Sequence, residues 1–129
     1  MRRMVLIVED EAVLLVLAVS ILQAAGYDTV SARTVAEAVA IIEDTELKLD
    51  LLFTDLALAD QTDGGLAVGQ TMARSRPGLP VVYTTGRGVT GCIVKRFVAP
   101  SKFIPEPYTD APLVSAAAEL LHVLGPFRP

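Results

Sequence analysis

The sequence predicts a single α/β domain of three layers, with a doubly wound parallel sheet of five strands. Three observations carry that expectation. Five short apolar runs alternate with helix-like segments along the 129 residues. The central runs are continuous rather than alternating, as strands are when helices cover both faces of a parallel sheet. Right-handed crossovers between such strands place helical layers on either side of it. The length suits one sizeable core, without repeat, linker or low-complexity tract, so one domain over 1–129 is expected.

The elements follow in order. MVLIV (4–8) reads as a buried strand, and EAVLLVLAVSILQAA after it as a helix closed by Gly26. YDTVSA (27–32) is the second strand; TVAEAVAIIED is the second helix, with Thr34 and Glu37 at capping-box spacing. DLLFT (50–54) is the third strand, followed by the polar, glycine-ended loop DLALADQTDGG. LAVGQTMARSRPG is a helix stopped by Pro77 and Gly78, and LPVVYTT (79–85) is the fourth strand. A glycine-rich turn and a helix around CIVKRFV lead to the fifth strand, KFIP (102–105). Asp110 caps a last helix, PLVSAAAELLHVL, which Gly125-Pro126 ends.

Composition narrows the function. The net charge is −4 with eleven scattered basic residues and no Trp, which argues against a nucleic-acid surface. No apolar run reaches the roughly 18 residues of a membrane span. The basic start MRRMVLIVEDE lacks a cleavage site, and Cys92 stands alone, so a cytoplasmic protein without disulfides is expected. His122, the single histidine, falls among leucines and valines, and no serine has a histidine base in a recognisable motif.

Ligands of an open parallel sheet bind beyond the carboxyl ends of its strands. There the chain places Glu9-Asp10-Glu11, Asp55, Thr84-Thr85 and Glu106. Glu9, Asp10 and Asp55 converge if the first and third strands are neighbours. Crowded carboxylates need protons, a cation or basic partners. Carboxylate oxygens with water and a backbone carbonyl are what Mg²⁺ takes beside a phosphate.

VLIVEDE, LLFTDLAL, VVYTTG and FIPEPY, in this order and spacing, resemble the receiver domain of bacterial two-component response regulators. The resemblance implies a flavodoxin-like sheet in the order 2-1-3-4-5 and a stand-alone receiver with no output domain. By it, Asp55 accepts a phosphoryl group from the phosphohistidine of a sensor histidine kinase or histidine phosphotransfer protein. Mg²⁺ is held by Glu9, Asp10, Asp55 and the Ala57 carbonyl, without turnover of a small-molecule substrate. Thr85 and Phe103 are the switch pair, and Pro107 matches a proline that usually follows a cis peptide.

Glu106 departs from the family, which carries a phosphoryl-binding lysine there. Three accounts stay open: Arg87 substitutes as the cation, Glu106 swings to solvent, or the domain is a receiver-like interaction module without phosphate control. The loop ALADQTDGG also lacks the family's frequent proline. GRGVTG (86–91) spells a dinucleotide fingerprint, but after the fourth strand rather than the first. On the first helix, Leu14, Leu17, Ala18, Ile21 and Leu22 are expected to face the sheet. Leu15, Val16 and Val19 are expected to point outward as a partner surface for the kinase bundle or a homodimer. The apolar last helix is a second dimer candidate.

Overall fold

The computed structural model describes residues 2–86 and 91–124, the side chains of 122–124 excepted. Its strands are β1 (Met4–Val8), β2 (Asp28–Ala32), β3 (Leu51–Asp55), β4 (Val81–Thr85) and β5 (Ser101–Pro105). Its helices are α1 (Ala12–Ala24), α2 (Val35–Glu43), α3 (Gly64–Ser75), α4 (Gly91–Val94) and α5 (Asp110–Leu124). All strand pairs are parallel, in the order β2-β1-β3-β4-β5. The flavodoxin-like architecture expected from the sequence is present.

Two cores follow from the alternation of side chains across the strands. Val5, Ile7, Leu51, Phe53, Val82 and Ile104 pack one face against α1 and α5. Leu6, Val8, Leu52, Val81 and Tyr83 pack the other against α2 and α3. The central strands β1, β3 and β4 are buried almost throughout, as their unbroken apolar sequences require.

Local signals explain the helix ends. After α1, Gly26 takes φ 99°, and Tyr27 N–H bonds the Leu22 carbonyl at 3.1 Å while Gly26 N–H bonds that of Gln23 at 3.0 Å. This is a glycine-closed helix end, with the left-handed glycine letting two N–H groups turn back to the last carbonyls. Thr34 caps α2 by accepting from Glu37 N–H at 3.1 Å, and Glu37 accepts from Arg33 N–H at 2.8 Å. Asp60 adds a carboxylate from the β3–α3 loop, accepting from Val35 N–H at 3.1 Å. At the other end of α2, the Arg76 guanidinium donates to the carbonyls of Ile42, Asp44 and Leu47.

Three expectations are corrected. α3 begins at Gly64, inside the segment read as loop, because its first turn packs backbone to backbone on the end of β3. α4 is a single turn, with Lys95–Phe97 continuing as turns rather than helix. On α1, Leu15 and Val19 pack against the core instead of pointing outward, whereas Leu17, expected inside, is exposed. The outward apolar stripe is Val13, Val16 and Leu17. A helix without a charged residue offers no polar face to fix its rotation from sequence, so only packing decides it.

Gly65 shows how tightly α3 meets the site strand. A Cβ there would meet the Asp55 carbonyl oxygen and lie 2.6 Å from Leu56 Cα. Both are backbone atoms, so relief requires moving the strand end that carries Asp55. Gly65→Ala is expected to destabilise the fold by about 1–3 kcal/mol or more, read as a lower urea midpoint.

Candidate functional site

The strand register assembles the site. Val8 pairs with Thr54, Asp55 with Thr84, and Thr84 with Ile104. Glu9 extends this ladder, its N–H bonding the Ala32 carbonyl at 3.0 Å. Paired residues of parallel strands share a face, so Glu9, Asp55, Thr84 and Ile104 form one row on the α1/α5 side. Glu106, two residues beyond Ile104, returns to that face, and its N–H bonds the Thr85 carbonyl at 3.0 Å.

One carboxylate oxygen from each of Glu9, Asp55 and Glu106 lies within 4.8 Å of the others. Glu9 is buried, with one oxygen accepting from Glu11 N–H at 3.2 Å. Asp55 is half-buried and accepts from Ala57 N–H at 3.1 Å. Gly86 makes room for Glu106, since a Cβ there would lie 3.2 Å from its Oε1. The Glu106–Pro107 peptide is cis.

Burial dominates the electrostatics. It pushes the Glu9 carboxyl up to about 8, against a lowering by Glu11 N–H and with a further rise from Asp55. Burial also raises Asp55, opposed by the hydrogen bonds that Ala57 N–H and Glu9 donate to it. Glu106 is raised by burial first, then by the charges of Asp55, Glu11 and Asp10. Protons therefore concentrate on these groups unless another cation replaces them. The donor set fits a divalent cation: hard carboxylate oxygens converge, and Glu106 Oε2 is buried with no hydrogen-bond partner among the described residues.

The expected site residues separate into groups. Glu9 and Asp55 converge as anticipated, but the third member is Glu106, turned into the pocket rather than out to solvent. Asp10 stands outside that trio, half-buried, its backbone carbonyl accepting from Arg33 Nη2 at 2.7 Å. Thr85 is buried; strand alternation starts it on the opposite face, with Tyr83. Phe103 is half-buried against the α2/α3-side core and stacks near Phe97 at 6.3 Å between ring centroids. Arg87 and most of GRGVTG lie outside the described residues, as does the side chain of His122.

Three residues near the pocket had no assigned role in the sequence reading: Arg33, Thr84 and Tyr108. Thr84 Oγ1 and Tyr108 Oη are buried without hydrogen-bond partners among the described residues. Strand alternation was the signal for Thr84: being in register with Asp55, it faces the acids when Thr85 does not.

A five-stranded parallel sheet in this order, with acids gathered where β1 and β3 part, defines a receiver-type signalling domain. The model of the response regulator receiver domain matches residues 5–116, and the chain belongs to that family, which works in two-component signalling. A response regulator receiver protein from Sinorhizobium medicae is 26% identical, with 94% of this chain and 95% of that one covered at a TM-score of 0.85. A CheY-like receiver domain protein from Methanospirillum hungatei is 25% identical, with 96% and 97% covered and the same TM-score of 0.85. NtrX from Brucella abortus is 28% identical at a TM-score of 0.81, covering 95% of this chain but 27% of that longer one. The comparison with curated proteins gave no match. Receiver domains bind Mg²⁺ at an acidic pocket, and Glu9, Asp55 and Glu106 form a carboxylate cluster of the kind that can hold a metal ion. No helix among the described residues is long and apolar enough to cross a membrane.

Glu9 gives a pH test. Its folded value of about 8 exceeds the ordinary 4.5, so the folded chain binds the extra proton across that interval. Stability contributed by this group is full below about pH 4.5 and is lost as pH rises toward 8. In EDTA the urea midpoint should therefore fall with rising pH, with a flatter profile in Glu9→Gln.

Proposed function

We propose that this chain is a single-domain response regulator in which Asp55 accepts a phosphoryl group from a histidine kinase or phosphotransfer protein. The observation that carries the reading is the placement of Asp55: half-buried at the end of β3, oriented by Ala57 N–H and flanked by Glu9. A carboxylate oxygen attacks phosphorus, the phosphorus–nitrogen bond to the donor imidazole breaks, and the freed ring nitrogen is protonated. Glu9, Asp10, Asp55 and the Ala57 carbonyl would hold Mg²⁺, which when bound cancels charge on the transferring group. Thr85 then turns toward the acyl phosphate and Phe103 follows, changing the surface over β4 and β5.

The inward position of Glu106 supports a second reading, an interaction module free of phosphate control. A carboxylate a few ångströms from a transferring phosphate opposes it by roughly 1 to 4 kcal/mol, depending on dielectric. Acetyl phosphate or beryllofluoride with Mg²⁺ separates the two. An adduct at Asp55, absent in Asp55→Asn and formed faster in Glu106→Lys, is the expected outcome. No adduct at saturating reagent leaves the interaction module.

The exposed stripe Val13, Val16 and Leu17 on α1 is the proposed docking face for the partner's helical bundle, with Leu15 and Val19 beneath it as supporting core. A homodimer through this face or α5 is the competing use. Val13→Glu with Val16→Glu should cut transfer from the partner at least about tenfold relative to labelling by acetyl phosphate. Sedimentation of the wild-type chain as a dimer that the same pair disrupts would assign the face to self-association instead.

A further inference from the structure

Thr84 and Tyr108 are almost wholly buried, at 0% and 5% exposure, yet neither hydroxyl has a hydrogen-bond partner among the described residues. Thr84 stands in register with Asp55 and shares its sheet face with Glu9 and Glu106. Tyr108 packs edge-on to Phe53 at 5.5 Å on the same face, its phenol raised first by burial and then by the nearby charges of Glu9, Glu106 and Asp55. Glu106 Oε2 is the third orphan. A buried polar group left unmade costs about 1–3 kcal/mol, and three around one acidic cluster call for a bound species that satisfies all of them.

A proton on one acid answers only part of this. It removes a charge but supplies a single donor. A hydrated divalent cation answers more: it bonds the carboxylates, and its waters donate to hydroxyl oxygens nearby. Lysine at 106 would exclude such a role, having only donors and a like charge.

We infer that Glu106 is a third carboxylate ligand of the divalent cation, with Glu9 and Asp55, while Thr84 and Tyr108 support the ion's water. The inference rests on the pocket being the cation site of the function proposed above. It adds a ligand from the position where the family carries a lysine. Glu106 and a phosphoryl oxygen are both hard anionic ligands, so they compete for the same ion.

Isothermal titration with MgCl₂ and CaCl₂ tests it on the wild-type chain, Glu106→Gln and Thr84→Val. Affinity for Mg²⁺ is expected to fall roughly tenfold or more in Glu106→Gln, and by a smaller factor in Thr84→Val. Melting in EDTA controls for folding: Glu106→Gln removes charge from a like-charged cluster, so its metal-free form should melt no lower than wild type. Its metal-induced rise in melting temperature should shrink. Equal affinity in wild type and Glu106→Gln overturns the inference while leaving cation-assisted phosphoryl acceptance standing. No cation uptake by the wild-type chain overturns both.

Discussion

Repulsion among Glu9, Asp55 and Glu106 is the constraint around which the carboxyl edge of the sheet is organised. Each acid sits at the end of a different strand, where ladder hydrogen bonds hold the backbone that carries it. The rest of the fold supplies the energy to keep them there. Burying one large aliphatic or aromatic side chain contributes about 1.5–3 kcal/mol, and the two cores contain many such residues. A few kilocalories of crowding at one rim are small beside that sum, though large for chemistry within the rim. Close approach at Gly65 and the clearance at Gly86 belong to the same arrangement: small residues stand where the acids and their strands need room.

Within the family resemblance, a single side chain changes the sign of the pocket. A lysine at 106 would neutralise one of the neighbouring acids, whereas glutamate adds to them. Under the function proposed above, Asp55, Asp10 and Thr85 serve phosphoryl acceptance beside a residue that opposes an incoming phosphate. Charge balance therefore moves from a fixed ammonium to something exchangeable, a proton or an ion. Exchangeable partners respond to the medium in ways a lysine does not.

Much of this was legible from residues alone. Unbroken runs such as MVLIV and VVYTT announced buried parallel strands, and Thr34 with Glu37 marked a helix start that forms as expected. Other features depend on packing that linear patterns do not encode. The rotation of α1 was misread because Leu15, Val16 and Val19 are chemically alike, and burial separates them only in three dimensions. Two glycines at the head of α3 suggested loop by propensity, when Gly65 serves close approach to the end of β3 and Gly64 close approach to Val35 and Leu58. Glu106 was recognised as a departure, but its direction depended on neighbours along three strands. Thr84 was overshadowed by Thr85, although a one-residue step in a strand sends the two hydroxyls to opposite faces.

Tyr83 joins parts of the molecule that are distant in sequence. Its hydroxyl passes over α3 at Gly69, where a Cβ would collide with it, and accepts from Val98 N–H at 3.1 Å. Its ring stacks on Phe97 with centroids 4.2 Å apart. A net hydrogen bond and an aromatic pair are each worth about 0.5–1.5 kcal/mol. Any rival placement of the 97–98 segment thus begins at a deficit of about 1–3 kcal/mol, a population between about 15 per cent and under about 1 per cent. Moving the segment means giving up both contacts together, since one side chain holds the hydrogen bond and the ring stack.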